Sequence, residues 1–395
     1  MSAGVADAET LREELDSQGR TTGVEAETDD LSIEVDIREP FDPDKIDVVT
    51  RTMTVDLLLS RIRRGTIDLQ PDFQRHAGIW TRRAKSRLIE SLLLRIPLPT
   101  LYAAAYQDAE GDEAWAIVDG IQRLTTITEF IEPQSISEEP LRLQDMEYLK
   151  ELEGKYFEDL AGRLQTRLRE SELVVHLIRQ GTPDAVKFNI FVRINTGGLP
   201  LTSQELRHAL IPGKARELLK EWADSRAFRV AVGDSISSDR MADREMVLRF
   251  IAFRLTAPTD FKNQDFDLFL RQAMKQLNDV STAAAGGLES DFTSAMVAAT
   301  EIFGDYAFRK RNPRIPKRRL PVNKAIFESV AVNLANLTDD EREELADRKE
   351  RVEELFLRLM GDGEFQVAVS QGTGDPAKVR RRFDGIRDLF AEVLS

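Results

Sequence analysis

The stretch 115–130 constrains this chain most, because its apolar period changes in the middle. Trp115, Ala116, Ile117 and Val118 form a continuous apolar run of strand type, whereas Leu124, Ile127, Thr128 and Phe130 recur at helical spacing, so the switch falls at Asp119-Gly120. Gly120 lets the backbone approach a ligand closely, and the free N–H groups of the next turn carry partial positive charge. Arg123 lies in that first turn with Gln122 beside it. A guanidinium fork and an amide at the open end of a helix make an anion clamp for a nucleotide or a nucleic-acid phosphate. The same residues also describe an ordinary strand-to-helix turn with a solvated arginine, and taken alone they favour that plainer reading.

The flanking segments extend the pattern. Residues 54–65 read as a short amphipathic helix that stops at Gly65, and 67–75 as a strand broken at Pro71. Trp80, Ala84, Leu88, Ile89, Leu92 and Leu93 form a helical stripe over 80–94, after which 101–106 and 113–118 flank Gly111-Asp112 as a hairpin. The order helix, strand, helix, hairpin, helix predicts a small α+β domain rather than a doubly wound sheet. Residues 141–168 read as polar helix, 172–178 as an alternating strand and 183–192 as a helix. Thr202-Ser203-Gln204-Glu205 is a capping box that starts a helix over 206–210. Beyond about residue 213 strand signals vanish. Stripes over 241–254, 266–277, 292–303, 323–334 and 342–359 predict an all-α second domain, which sets the expected organisation as 1–45, 46–213 and 214–395.

Charge is unevenly spread. Residues 1–50 hold fifteen acids against four bases, a net −11 of the chain's −14. That segment is expected to be disordered to about residue 40, serving solubility or acting as an internal competitor for phosphates on a basic groove. Cysteine is absent, which excludes disulfides, thiolate metal sites and cysteine nucleophiles. The three histidines, His76, His176 and His208, have no helical pairing, so a metal site of the chain's own is not expected. No apolar run approaches membrane-spanning length, and a cytoplasmic chain without membrane partners is the resulting expectation.

Two basic clusters fall in the helical part. Arg309, Lys310, Arg311, Arg314, Lys317, Arg318 and Arg319 place seven bases in eleven residues of proline-containing loop, and Lys378, Arg380, Arg381, Arg382 and Arg387 form the second. Such clusters neutralise backbone phosphates without reading sequence; they also occur as solvated loops balanced by nearby acids.

Several blocks carry a family resemblance: Gln70-Pro71-Asp72-Phe73-Gln74-Arg75, Trp80, Arg87 onward to Pro97 and Pro99, Asp119-Gly120-Ile121-Gln122-Arg123, and Phe191, Arg193, Asn195 with Thr202 to Arg207. The set resembles the D-G-Q-Q-R family, which includes the GmrS part of the GmrSD restriction enzymes and the N-terminal part of the phosphorothioate-sensing effector SspE. Four ordered blocks over about residues 51–215 are far more specific than any one of them. They replace the plainer reading of the 119–123 turn.

The resemblance implies a ParB/sulfiredoxin-like domain in which nucleoside-triphosphate hydrolysis, with Mg²⁺ carried by the nucleotide, is coupled to cutting foreign and sometimes modified DNA in anti-phage defence. Carried over by position, Asp119, Gln122 and Arg123 would be catalytic, and Gln74, Arg75, Gly120, Arg193 and Asn195 would bind the nucleotide. Arg123 and Arg75 would steady phosphate charge, Gln122 would orient water, and Asp119 would either ligate Mg²⁺ or cap the helix. Asp72 and Glu90 are expected to be structural partners of nearby arginines, and Phe73, Trp80 and Tyr102 are aromatic candidates for DNA contact. The family's first glutamine is Ile121 here, which puts hydrolysis in question. No histidine follows His208, so cutting would fall to a separate HNH-type nuclease subunit; a homo-oligomer is compatible with the sequence. A non-catalytic ParB-like DNA-binding regulator switched by nucleotide is the alternative, and a small-molecule phosphotransferase on the same fold is a third class that the basic clusters disfavour.

Overall fold

A computed structural model describes residues 12–15, 19–27, 46–69, 80–108, 111–136, 138–194, 201–238, 240–262, 265–312 and 318–395. The chain divides into two compact units, residues 36–212 and residues 213–395 together with the first 35. The architecture is α+β: one unit holds a mixed sheet with helices, and the other is built mainly of helices.

Two short strands near the N-terminus, β1 (Glu13–Leu15) and β2 (Thr21–Glu25), pair antiparallel. Within the acidic segment, residues 12–15 and 19–27 are thus built into structure: Val24 is fully buried and β2 bonds to Val322 through Glu25 N–H and the Gly23 carbonyl. Acidic composition alone misleads here because the carboxylates have buried cationic partners.

In the unit 36–212 the strands are β3 (Val48–Thr54), β4 (Ile67–Asp68), β5 (Leu101–Gln107), β6 (Glu113–Asp119) and β7 (Glu172–Ile178), in sheet order β3-β7-β5-β6-β4. The β3/β7 and β5/β6 pairs are antiparallel, and β7/β5 and β6/β4 are parallel. Helix α1 (Val55–Arg63) starts where Thr54 Oγ1 accepts the Leu57 N–H, and it buries Val55, Leu58, Leu59 and Ile62 at helical spacing. Helix α2 (Arg82–Leu93) is capped by Thr81. Helix α3 (Ile121–Ile131) follows β6 after a single residue.

The 141–168 stretch differs from its predicted helix. Only α4 (Gly162–Glu170) is α-helical, preceded by irregular backbone with short 3₁₀ turns. The cause is Glu90, a buried carboxylate on α2 that accepts the consecutive N–H groups of Glu147, Tyr148 and Leu149 at 3.0, 2.7 and 2.7 Å. Bonds to a side chain take those donors away from a helical ladder. Helices α5 (Asp184–Ile194) and α6 (Ser203–Leu210) complete the unit, α6 beginning at the capping box in which Thr202 N–H donates to Glu205 and Glu205 N–H to Thr202.

In the other unit, α7 (Ala215–Asp224) and α8 (Arg226–Val232) lead to α9 (Ala242–Leu255), which is buried on all sides. Then come α10 (Phe266–Asp279), α11 (Thr282–Phe303) and α12 (Lys324–Ala335), the last also buried all round. A helix covered on every side lies at the centre of a bundle, and the charged residues these two carry there must find partners within it. The predicted helix over 342–359 is two helices, α13 (Asp339–Asp347) and α14 (Lys349–Met360), broken at Arg348, and α15 (Gly363–Ser370) and α16 (Pro376–Leu394) close the unit. Among the described residues no helix is long and apolar enough to cross a membrane.

Candidate functional site

The turn between β6 and α3 is built around Gly120. Its φ of +93° and ψ of 12° place it in the left-handed region, and a Cβ there would overlap Leu101 Cδ2. Only glycine fits that combination. Gly120 is also the N-cap residue, and it supplies no side-chain cap. Asp119 therefore is not the helix cap. It ends β6 with its side chain 38 % exposed, and its Oδ2 accepts from Arg123 Nη2 at 3.0 Å.

Arg123 points inward. Its side chain is only 10 % exposed, and besides Asp119 it donates to the carbonyls of Pro99 and Thr100, the residues that lead into β5. The arginine thus ties three segments together, namely the end of β6, the first turn of α3 and the approach to β5. Ile121 is buried at 5 % exposure, which makes the family's departure at this position a packing residue. Gln122 lies half-buried on the first turn.

The sheet register extends the site sideways. Asp119 pairs with Tyr102, Tyr102 with His176 and His176 with Thr50, a row across four adjacent strands. The Tyr102 and His176 rings approach to 5.0 Å between centroids, and His176 Nδ1 lies 2.9 Å from Thr50 Oγ1. Farther along, Ala104, Val118 and Ile178 pack under Phe188 and Phe191 of α5 and Leu206 and Ala209 of α6, with Tyr102 at the margin. His176 was not among the residues expected at the site; its distance in sequence from Asp119 hides a neighbourhood that only the strand order reveals.

The remaining expected residues are distributed as follows. Arg193 is exposed near the end of α5. Gln74, Arg75, Asp72 and Phe73 in the first loop, and Asn195 after α5, lie outside the described residues. Glu90 is structural, although its partners are backbone N–H groups rather than the expected arginine. Burial pushes its carboxyl up, but the donors from Leu149, Tyr148 and Glu147 outweigh burial and hold it below the usual carboxylate range. Among the described residues no group of three or more acidic or histidine side chains gathers as a metal site.

Residues 55–212 match the GmrSD restriction endonuclease, N-terminal domain family. The match begins at the first residue of α1 and ends just after α6, so the GmrSD-type region contains the Gly120 turn and most of the row beside it. A comparison with curated proteins returns no match. The match covers this stretch of the chain, and a domain of this type suggests a component of a restriction or defence system.

The basic loop that follows this region in sequence is less open than its composition implies. Arg309 is buried and donates to the carbonyls of Leu320 and Val232 and to Ser235 Oγ; burial and the neighbouring Arg319 both lower the tendency of its guanidinium to stay charged. Lys310 is buried against Glu25 and Ser370, and Arg311 pairs with Glu353 while lying over the Tyr306 ring. Arg319 donates to the Val232 and Gly233 carbonyls, and Arg318 is exposed. Arg314 and Lys317 lie outside the described residues. In the second cluster Arg382 is fully buried on Glu328, Arg381 pairs with Asp362 and Arg387 with Asp384. Much of the basic character of both clusters is therefore matched internally.

Proposed function

We propose that the GmrSD-type domain binds a nucleoside triphosphate at the Gly120 turn and serves as the nucleotide-dependent subunit of a DNA-restriction system, with DNA cut by a separate HNH-type nuclease. One observation carries the reading: inside the family-matched region a strand passes through a left-handed glycine, which offers no capping side chain of its own, into a helix. N–H groups at the positive end of a helix dipole suit phosphate oxygens, and the missing Cβ of Gly120 leaves room for close approach.

The residues take distinct parts in this reading. Backbone N–H groups of 121–123 hold phosphate, Gln122 orients the attacking water, and Arg75 and Gln74 approach from the first loop with Arg193 and Asn195 as further contacts. Arg123 is a positioning residue that fixes Asp119 and the 99–100 segment. Mg²⁺ accompanying a nucleotide takes one or two protein carboxylates, and Asp119, partly exposed beside Arg123 at the end of β6, would supply one. Bound there, the ion supplies charge neutralisation for the phosphates.

Calorimetry with nucleoside triphosphates and Mg²⁺, followed by phosphate-release assays, tests the proposal. Saturable binding that Gly120→Ala removes is expected; no binding to the folded wild-type chain overturns it. Plasmid DNA should remain intact with the pure chain, Mg²⁺ and nucleotide, and robust cleavage would reject the separate nuclease. The burial of Ile121 and the inward engagement of Arg123 favour a second reading, a nucleotide-switched DNA-binding regulator without turnover. Binding without phosphate release would select it.

A further inference from the structure

The helical unit holds a group of buried cations that the nucleotide reading does not use. Arg249 on α9, Lys324 at the start of α12 and Lys310 in the basic loop have side chains 3, 3 and 8 % exposed. Each is met by a carboxylate from the N-terminal hairpin. Glu14 Oε1 lies 2.6 Å from Lys324 Nζ, Glu25 Oε1 lies 2.6 Å from Lys310 Nζ, and both carboxylate oxygens of Glu27 bond Arg249. Neutral donors complete the contacts: Asn323 Nδ2 to Glu25 at 3.1 Å and Thr373 Oγ1 to Glu27 at 2.7 Å, while Ser370 Oγ accompanies Lys310 at 2.7 Å.

The helices bring acids of their own to the same group. Glu245 serves Arg249 and Lys324, and Glu328 is shared between Arg249 and Arg382. Among the described residues the hairpin thus adds three carboxylates, Glu14, Glu25 and Glu27, to the two that the helices bring to these cations. Burial pushes the Glu27 carboxyl up, but Arg249 and Lys324 hold it below the usual range, so it is seated as an anion. Glu14, Glu25 and Glu27 each present one carboxylate to a different cation along the two paired N-terminal segments. Single negative charges set out along a strand resemble a nucleic-acid backbone more than they resemble one compact triphosphate.

We infer that the cradle of Arg249, Lys310 and Lys324 is a binding site for nucleic-acid backbone phosphates and that the acidic hairpin is its built-in occupant, with Glu14, Glu25 and Glu27 standing in for phosphates. DNA engages the cradle by displacing the hairpin. This site lies wholly in the helical unit and does not depend on nucleotide binding at Gly120.

The test uses the full chain with Glu25→Gln and Glu27→Gln combined, and a labelled duplex oligonucleotide in fluorescence anisotropy at several salt concentrations. Removing the internal anions should tighten DNA binding by about tenfold or more, the equivalent of one decade in Kd, with a steep salt dependence that Lys310→Gln in the same background reduces. A folded double variant with unchanged affinity overturns the inference. Should the variant not fold, hydrogen exchange on the wild type decides: saturating DNA must raise exchange across residues 21–27, and unaltered protection there is the contrary result. Inorganic tripolyphosphate is the control probe. A response to it equal to that of DNA at matched charge would overturn the nucleic-acid assignment.

Discussion

Arg123 and Asp119 hold one another across the first turn of α3, with Nη2 donating to Oδ2 at 3.0 Å while the arginine stays almost wholly covered. The pairing turns a residue expected to reach outward into the post on which the turn is hung. Its other donors face the Pro99 and Thr100 carbonyls, so the guanidinium completes bonds that a shorter side chain would leave unmade.

Arg123→Ala should therefore lower stability by about 2–3 kcal/mol, the range for hydrogen bonds to a charged group. Nucleotide affinity should fall with it. Urea unfolding and calorimetry measure the two effects, and Arg123→Lys, which cannot fork between a carboxylate and two carbonyls, should restore little of either.

Gly120→Ala meets two obstacles, a φ of +93° and the side chain of Leu101. The strained backbone alone costs about 1–3 kcal/mol. Gly111→Ala is the matched control, because Gly111 has φ +87° in the β5–β6 turn with open space where a Cβ would lie. Thermal unfolding should show the larger loss at Gly120, and only that variant should lose nucleotide binding.

Glu90 offers a test by pH. Its carboxyl is held below the usual value near 4.5, so its contribution is fully present above that value and is lost as pH falls through the lowered folded value. Glu90→Gln should cost about 1.5–3 kcal/mol at pH 7, and the gap to wild type should close progressively in denaturant titrations below about pH 4.5. A gap constant from pH 7 to pH 3 would contradict this.

Ile121→Gln restores the family's residue at a site that is 95 % enclosed. An amide placed there without partners should destabilise by about 1–3 kcal/mol. Phosphate release by the variant should stay at or below the wild-type rate, and a clear rise would show that the missing amide acts on nucleotide directly.

The sequence made the central turn legible because a strand period and a helix period meet at a glycine, and both caps that begin α1 and α6 are written in Thr54 and in Thr202 with Glu205. The edge strand β3 gives no apolar alternation to read, since Thr50, Arg51 and Thr52 separate Val49 from Met53. Other features depend on distant partners. Glu90 unmakes a predicted helix more than fifty residues away, His176 joins Tyr102 only through a parallel pairing, and Arg309 and Lys310 turn inward toward groups that composition cannot display. Local pattern reports what a segment prefers; it is silent on which far residue satisfies a buried charge.

The hairpin near residue 20 also sets a timetable. Its cationic partners at 249, 310 and 324 leave the ribosome long after it does, by an interval of tens of seconds at about 5–20 residues per second. Through that interval the intervening GmrSD-type domain is made and can fold, while Glu14, Glu25 and Glu27 stay solvated and uncommitted. The helical unit is thus closed by a segment made well before it, so a change in residues 12–27 would be felt in the stability of helices more than two hundred residues later.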